Sequence, residues 1–295
     1  MSAADLKKVS QPPDARNAAT ADRTESVEDI EIALLLEGVF RLFGYDFRQY
    51  SPNSLKRRVQ ELLAAEKLDS ISALQDRILH QPAARDRFVS ALSVQASDFF
   101  RDPAFFLSFR EKAVPLLRTY PLVRVWHAGC ASGEEVYSMA ILLEEEHLLS
   151  KSLLYATDIN TQALQVARSG KYPVQQLEKC ENNYKHAGGR KTLLQYFESE
   201  GKRARAHSSL RDHIVFNEHN LVSDASFNEF NVILCRNVLI YFTAPLRNRV
   251  HELLHASLAR FGILALGASE TIRLSDVQER YRALDADNNI FRRKD

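Results

Sequence analysis

The chain has 295 residues, of which 45% are hydrophobic and 26% are charged, and its formal net charge is +1. This composition is typical of a soluble globular protein with one large domain or two modest ones. The balanced charge gives no support for nucleic acid or an anionic membrane as partner, and no apolar run reaches the roughly 18 residues of a membrane helix.

Targeting and redox signals are also lacking. The N-terminus has no basic segment followed by an apolar one, so we expect no signal peptide and a cytoplasmic location. Cys130, Cys180 and Cys235 are far apart and do not have the spacing of metal ligands. The sequence therefore predicts a reduced protein without disulfides and without a metal site.

The first part of the chain divides into a tail and a helical domain. Residues 1–25 are polar and contain two prolines, which predicts a disordered tail. Residues 26–94 have a helical pattern throughout, beginning with an S-x-x-D capping box formed by Ser26 and Asp29. Gly44 is a plausible end of this first helix. We expect a small all-helical domain.

From about residue 95 onwards the pattern alternates between strands and helices. Short apolar or β-branched runs occupy residues 122–128, 152–158, 213–220, 230–237 and 261–268. Helical segments lie between most of them, at 133–147, 161–170 and 244–261. This alternation predicts an α/β fold with a mostly parallel sheet covered on both faces, closed by a hairpin around 285–289. The polar, basic stretch 171–212 interrupts the alternation and indicates an inserted subdomain.

The first strand runs into the loop "GCASG" at 129–133, which Glu134 and Glu135 follow directly. In an open parallel sheet, ligands bind outside the carboxyl ends of the strands where the strand order reverses. The glycine spacing fits neither a dinucleotide fingerprint nor a P-loop, and two carboxylates would repel a pyrophosphate. They would suit a ligand with an ammonium or sulfonium group, so we expect an adenosine part beside the loop and a cationic amino-acid part beside the acids.

Polar residues at the ends of the later strands extend this site. Asp158 ends the second strand, where a carboxylate can accept hydrogen bonds from two ribose hydroxyls. The third strand leads to Asn220 and Leu221 near the expected adenine, and the fourth leads to Arg236 and Asn237, with Tyr241 just beyond.

Each of these features has a simpler interpretation when it is taken singly. The glycine loop could be an ordinary turn, the two glutamates could complement a helix dipole, and Asp158 could be a helix N-cap. Their occurrence in this order, each at a strand's carboxyl end, favours a binding site.

Five motifs together are similar to the CheR family of chemotaxis receptor methyltransferases. They are "DFFRD", "RVWHAGCASGEEVYSMA", "ATDIN", "ARSGKY" and "CRNVLIYF". The resemblance implies a class I methyltransferase domain over 95–295, doubly wound, dependent on S-adenosylmethionine (SAM), with an inserted antiparallel β-subdomain at 171–218. It also implies methyl transfer to glutamate side chains of chemoreceptors, with S-adenosylhomocysteine as the product.

The resemblance also implies roles for individual residues. Arg101 matches the arginine of the family's N-L-T-x-F-F-R motif, in which Ser97 replaces threonine and Gln95 replaces asparagine. Glu135 matches the acid that holds the methionine amino group, and Glu134 is the neighbour expected to assist it. The remaining matches are Asp158 for the ribose, Asn220, Leu221, Arg236 and Asn237 for the lining of the cofactor site, and Tyr241 near the transferring methyl. Ala268 stands where the family has histidine.

A glutamate acceptor needs little acid–base chemistry, because its carboxyl group is already ionised at about pH 7. Arg101 is the candidate to hold either the incoming carboxylate or the cofactor's edge, and Tyr241 could present its ring or its hydroxyl to the sulfonium. The implied partner is the cytoplasmic helices of a chemoreceptor. For the protein itself we expect a monomer that neither binds nucleic acid nor inserts into a membrane. Lys56, Arg57 and Arg58, and the basic stretch 201–211, are either solvated surfaces or docking surfaces for that partner.

Two other functions stay open from the sequence. A SAM-binding signalling module without turnover is suggested by the departures at Gln95, Ser97 and Ala268. A methyltransferase with a different target is the other, although "RNVLIYF" stands where base-directed amino methyltransferases carry an Asn/Asp-Pro-Pro-aromatic motif.

Overall fold

The computed structural model describes residues 26–93, 97–273 and 275–295. The predicted disordered tail, residues 1–25, lies outside the described residues, and so does the candidate site residue Gln95.

The N-terminal domain consists of four helices, α1 (Val27–Phe43), α2 (Pro52–Glu66), α3 (Ile71–His80) and α4 (Pro82–Leu92). The hydroxyl of Ser26 accepts a hydrogen bond from the Asp29 N–H at 3.2 Å, and the reciprocal bond completes the predicted capping box. The helix ends at Gly44, whose φ of 77° is left-handed, as predicted for a helix stop. The four helices bury their apolar faces against one another in a single core.

The basic residues of α2 do not share one face. Lys56 forms ion pairs with Glu28 and Asp29 of α1, and Arg57 is 69% exposed. Arg58 is only 6% exposed and points inward, where it donates a hydrogen bond to the Leu92 carbonyl. The expected three-residue basic surface is therefore wrong, because the third position lies on the buried side of the helix.

The larger domain opens with α5 (Pro103–Ser108), a π-helical turn (Phe109–Ala113) and α6 (Val114–Leu117). Its main sheet and helices follow as β1 (Val123–Ala128), α7 (Glu134–Glu145), β2 (Ser152–Asp158) and α8 (Thr161–Ser169). The inserted segment contains β3 (Lys171–Pro173), α9 (Val174–His186), β4 (Phe197–Glu200), β5 (Arg203–Ala206) and α10 (Ser208–Arg211). The chain ends with β6 (Ile214–Glu218), β7 (Phe230–Cys235), α11 (Ala244–Ser257), β8 (Leu258–Leu266), β9 (Tyr281–Asp285) and β10 (Ile290–Arg293).

The main sheet has the strand order β6-β2-β1-β7-β8-β10-β9. The five strands from β6 to β8 are parallel, and β10 and β9 form an antiparallel pair at the edge. This confirms the predicted mostly parallel sheet and its closing hairpin. From β1 the chain builds outward through β2 to β6 and then returns to the other side of β1 as β7. The strand order thus reverses between β1 and β7, which is where a ligand site is expected.

Both faces of the sheet are buried, as the apolar strands predict. Val123 and Val125 of β1 pack into one cluster with residues of α7, whereas Trp126 packs into a second cluster with residues of α11. Side chains of β1 therefore alternate between two cores. The fold is the doubly wound, mostly parallel α/β architecture that was expected, with a helical N-terminal domain and a small antiparallel sheet.

The inserted segment forms a three-stranded antiparallel sheet of order β3-β5-β4, with α9 packed against the main core. Its predicted end at residue 218 is wrong, because residues 214–218 are β6, which pairs in parallel with β2. A second boundary also differs from the prediction. The sequence predicts a helical segment up to residue 261, but α11 ends at Ser257 because Leu258 already pairs with Phe230 in the sheet.

The helical domain is joined to the larger domain by backbone hydrogen bonds. The Ser51 N–H donates to the Tyr241 carbonyl at 2.8 Å, and the Thr243 N–H donates to the Gln49 carbonyl at 2.9 Å. The amide of Asn160 adds a bond to the Ser93 hydroxyl at 2.8 Å. These contacts hold the helical domain over the carboxyl ends of the strands. Within the described ranges, no helix combines the length and apolar character needed to cross a membrane.

Candidate functional site

A cleft lies between the two domains at the carboxyl ends of β1, β2 and β7. Its empty volume, including the part open to solvent, is about 1010 Å³, which is enough for a small-molecule ligand. The structure brings nine of the predicted site residues together in its wall: Ser97, Arg101, Glu135, Asp158, Asn220, Leu221, Arg236, Asn237 and Tyr241. Glu134 does not line it.

The loop after β1 approaches the loop after β7 closely, and Gly129 makes this possible. Its φ is 81°, and a Cβ atom there would lie 2.5 Å from Cγ2 of Val238. The N–H groups of Gly129 and Cys130 both donate to the Thr157 carbonyl, at 2.8 and 2.9 Å, which ties the loop to β2. The close approach of the two loops therefore requires glycine at position 129, so this residue is more than an ordinary turn residue.

Asp158 ends β2 and is held by backbone donors. Its Oδ2 accepts from the Ala131 N–H at 2.8 Å, and its Oδ1 accepts from the Asn160 N–H at 2.8 Å. Burial raises the pKa of this carboxyl group, although these backbone bonds partly counter the shift. Each oxygen keeps a lone pair for a further donor, so the group can accept hydrogen bonds from neighbouring hydroxyls of a ligand.

Glu135, in the first turn of α7, is held by two side chains from neighbouring strands. The His127 Nδ1 atom lies 3.0 Å from Glu135 Oε1, and Arg236 Nη1 donates to Oε2 at 2.9 Å. Burial alone would raise the pKa of Glu135, but the His127 hydrogen bond and the Arg236 charge outweigh it and lower the pKa. The group is therefore ionised at neutral pH.

Arg236, just after β7, joins Glu135 to a second acid. Its Nη2 atom donates to Asp102 Oδ2 at 2.8 Å, and its guanidinium carbon lies 4.0 Å from the centre of the Phe105 ring. The side chain is 1% exposed. One guanidinium thus faces two carboxylates, which leaves a net negative charge beside the cleft and favours a cationic ligand group.

Glu134 points away from the cleft. Its carboxylate accepts hydrogen bonds from the Ser132 hydroxyl at 2.7 and 2.9 Å and from the Gln176 amide at 3.2 Å. Burial raises the pKa of this group. Successive helix residues point about 100° apart, so these two neighbours cannot both face one ligand. The predicted assisting role of Glu134 is not supported by its position.

Glu270 organises the loop after β7, a role that the sequence reasoning missed. Its carboxylate accepts hydrogen bonds from four backbone N–H groups, at distances of 2.6 to 2.9 Å: those of Gly267, Asn237, Val238 and Leu239. Asn237 there has a φ of 63°. Glu270 ends the segment "GASE" (267–270), in which the resemblance marks only the histidine replaced by Ala268, whereas the acid shapes the wall of the cleft.

Tyr241 lies at the boundary between the domains. The Arg58 guanidinium carbon is 4.7 Å from the centre of its ring, so a buried cation of α2 flanks the tyrosine. Ser97 and Arg101 line the cleft from the segment that links the two domains.

The helical domain contributes wall residues that no sequence motif indicated: Tyr50, Leu92 and Ser93. Their presence depends on how the domains pack, and nothing local in the sequence signals it. The larger domain adds apolar groups beside the predicted Leu221, among them Ile159 and Val222. The cleft thus combines a carboxylate for hydroxyls, an apolar wall and a negatively charged network.

Comparisons with known proteins agree with this geometry. The family model described as "CheR methyltransferase, SAM binding domain" matches residues 95–290, and "CheR methyltransferase, all-alpha domain" matches residues 30–93.

Three curated relatives match this chain over most of their own length. The chain is 44% identical to Cher3 of Pseudomonas putida over 270 residues, which is 92% of this chain and 99% of that one. It is 30% identical over 236 residues to the chemotaxis protein methyltransferase of Listeria monocytogenes, covering 79% of this chain and 87% of that one. Identity is also 30%, over 238 residues, to chemotaxis protein methyltransferase 2 of Pseudomonas aeruginosa, covering 79% and 84%.

Proposed function

This chain belongs to the CheR methyltransferase family and is a SAM-dependent methyltransferase, and we propose that its acceptors are glutamate side chains on the cytoplasmic helices of chemoreceptors. The products are glutamate methyl esters and S-adenosylhomocysteine. The observation that carries the proposal is one cleft in which Asp158, an apolar wall and Glu135 face a common space. The relatives named as chemotaxis methyltransferases support the acceptor class.

The residues of the cleft fit SAM, the cofactor of the matched domain. Asp158 would accept from the ribose hydroxyls, Leu221 and Val222 would contact the adenine, and Glu135 would accept from the ammonium group of the amino-acid part. When bound, SAM supplies a methyl group on a positively charged sulfur, which needs no further activation. The negative charge shared by Glu135, Arg236 and Asp102 favours this cationic ligand.

A carboxylate acceptor suits the chemistry that the cleft offers. The two carboxylates in its described wall, Glu135 and Asp158, already accept hydrogen bonds from protein donors, so neither is poised as a general base. An amine or a hydroxyl acceptor would have to lose a proton, whereas a glutamate is ionised at neutral pH. The task left to the protein is alignment and exclusion of water.

We assign that task to Arg101 and Tyr241. The guanidinium fork of Arg101 suits the planar carboxylate of the acceptor, and Tyr241 flanks the reacting group from the domain boundary. In this proposal the enzyme acts in the cytoplasm as a monomer, with the receptor helix entering the cleft beside α2. Arg57 is the exposed basic residue of α2 that can meet an acidic receptor helix.

The direct test is methyl transfer to receptor fragments. Purified enzyme, SAM with a labelled methyl group and cytoplasmic fragments of the host's chemoreceptors should give label that alkali releases as methanol, mapped to glutamates by mass spectrometry. Label that resists alkali would point to another acceptor group. Tight SAM binding without transfer to any receptor would favour the signalling module without turnover.

Arg101→Ala should lower the kcat of methyl transfer by about 100-fold or more, with a much smaller change in the SAM dissociation constant. The matched control is Arg118→Ala, an arginine that pairs with Glu146 far from the cleft. Unchanged turnover in the Arg101 variant would remove this residue from the catalytic machinery.

A further inference from the structure

We propose that His127 is a positioning residue, which fixes the Glu135 carboxylate for the amino-acid part of the cofactor. The inference rests on the proposed cofactor site and deepens it, since it adds a residue that does not touch the ligand cleft. His127 lies in β1, and its side chain is fully buried at 0% exposure.

The pattern of β1 makes a histidine unexpected at this position. Val123 and Val125, four and two residues earlier, point to the same face of the sheet and belong to its apolar core. The strand partners of His127 are Ala156 and Leu234, on β2 and β7. An apolar side chain would continue this pattern, so a polar ring at the centre of the sheet needs a specific reason.

The ring has a single polar contact within the described residues. Its Nδ1 atom lies 3.0 Å from Glu135 Oε1, whereas its Nε2 atom is buried without a hydrogen-bond partner. Because an ionised carboxylate can only accept, Nδ1 carries the donated proton. An unpaired buried nitrogen destabilises the fold, so this side chain is a poor choice for stability alone.

The consequence of the contact is a carboxylate fixed at both oxygens. His127 holds Oε1 from β1, and Arg236 holds Oε2 from the loop just after β7. Two donors from separate parts of the sheet edge prevent rotation about the last bond of the Glu135 side chain. The carboxylate therefore presents its remaining lone pairs to the cleft in one orientation, ready for an ammonium group.

The test compares two ligands that differ only at the end where Glu135 acts. S-adenosylhomocysteine has the amino-acid part, whereas 5′-methylthioadenosine keeps the adenosine and sulfur but lacks it. Calorimetry on His127→Leu should show about tenfold weaker binding of S-adenosylhomocysteine and less than about twofold change for methylthioadenosine. Equal weakening of both ligands would indicate a general structural role and overturn the proposal. Unchanged binding of S-adenosylhomocysteine would also overturn it.

A matched pair of amides keeps the test valid if the leucine variant folds poorly. The side-chain nitrogen of His127→Asn can take the place of Nδ1 and reach Glu135, whereas that of His127→Gln lies near the position of Nε2. We expect His127→Asn to bind S-adenosylhomocysteine with nearly wild-type affinity and His127→Gln to bind it weakly. The two variants should have similar thermal stability. Equal affinities in the two variants would contradict the proposal. Failure of the wild-type protein to bind either ligand would instead contradict the proposed function, so the two failures are distinguishable.

Discussion

The two ends of the cofactor cleft hold their carboxylates in different ways. At the adenosine end, Asp158 is bound by the backbone N–H groups of Ala131, in the loop after β1, and of Asn160, two residues beyond Asp158. At the amino-acid end, Glu135 is bound by the side chains of His127 and Arg236. Burial raises the pKa of Asp158, whereas its partners lower the pKa of Glu135 in spite of burial.

In the proposed function, this difference decides which part of the ligand each end would recognise. A carboxylate held by neutral N–H groups is suited to accept hydrogen bonds from neutral hydroxyls. A carboxylate within a charged network stays ionised and attracts a cation. Each end can therefore be disturbed separately, and the effects should follow the part of the ligand that is lost.

The largest effect is expected from Asp158→Ala. It removes the acceptor of both ribose hydroxyls, and hydrogen bonds to charged groups contribute about 1.5 kcal/mol or more each, so SAM affinity should fall about 100-fold. Calorimetry measures this, with thermal melting to show that the loop after β1 still folds. A loss below about threefold would mean that Asp158 serves the loop and not the ligand.

Glu135→Gln should weaken SAM binding by about 10- to 30-fold, because the ammonium group loses its ionised acceptor. Glu134→Gln is the matched control, because Glu134 is a neighbouring buried glutamate whose partners are Ser132 and Gln176. The SAM affinity of this variant should stay within about twofold of that of the wild type. If the two variants bind SAM equally weakly, the two acids do not differ in solution in the way that their opposite directions on α7 predict.

Tyr241→Phe tests whether turnover depends on a residue other than the two carboxylates at the ends of the cleft. The residue lies at the domain boundary under Arg58, so we expect about tenfold lower kcat with an unchanged SAM dissociation constant. Steady-state kinetics with a receptor fragment and calorimetry together separate these quantities. A change in binding alone would place Tyr241 with the cofactor residues.

The smallest effect, and the sharpest contrast, concerns stability and pH without ligand. The folded-state pKa of Asp158 is raised, so its contribution to stability is greatest below its unfolded pKa and is lost as pH rises through the folded pKa. The folded-state pKa of Glu135 is lowered, so its contribution is present above its unfolded pKa and is lost as pH falls through the folded pKa.

Urea unfolding between about pH 7 and pH 3 should therefore give opposite trends, because the Glu135 contribution is lost only below the unfolded pKa of a glutamate, about 4.3. As pH falls, the free energy of unfolding of the wild type should rise relative to Asp158→Ala and fall relative to Glu135→Gln. Trends of the same sign for both variants would contradict the electrostatic contrast between the two ends.

The same contrast explains what the sequence could and could not predict. Asp158 ends an apolar strand beside a glycine loop, and the alternation of strands and helices places such ends together, so its position in the cleft wall was predictable from local pattern. The network around Glu135 joins residues from distant parts of the chain, since Arg236 is 101 positions from Glu135 and 134 from Asp102. No local motif indicates such contacts.

The local pattern alone does not separate Glu134 from Glu135, although the family resemblance singles out Glu135. Both follow the glycine loop, and only the exact start of α7 decides which of the two faces the cleft. Similarly, Tyr50, Leu92 and Ser93 reach the cleft because the helical domain docks on the larger one through backbone hydrogen bonds. Packing between domains is set by surface complementarity, which leaves no periodic signal in the sequence.

The most direct test of the account is a binding matrix of two variants and two ligands. Calorimetry of Asp158→Ala and Glu135→Gln with S-adenosylhomocysteine and 5′-methylthioadenosine should show that the first variant loses affinity for both ligands. The second should lose affinity for S-adenosylhomocysteine alone. The assignment of the two ends of the cleft is contradicted if Glu135→Gln binds both ligands equally weakly. It is also contradicted if Asp158→Ala keeps the wild-type affinity for methylthioadenosine.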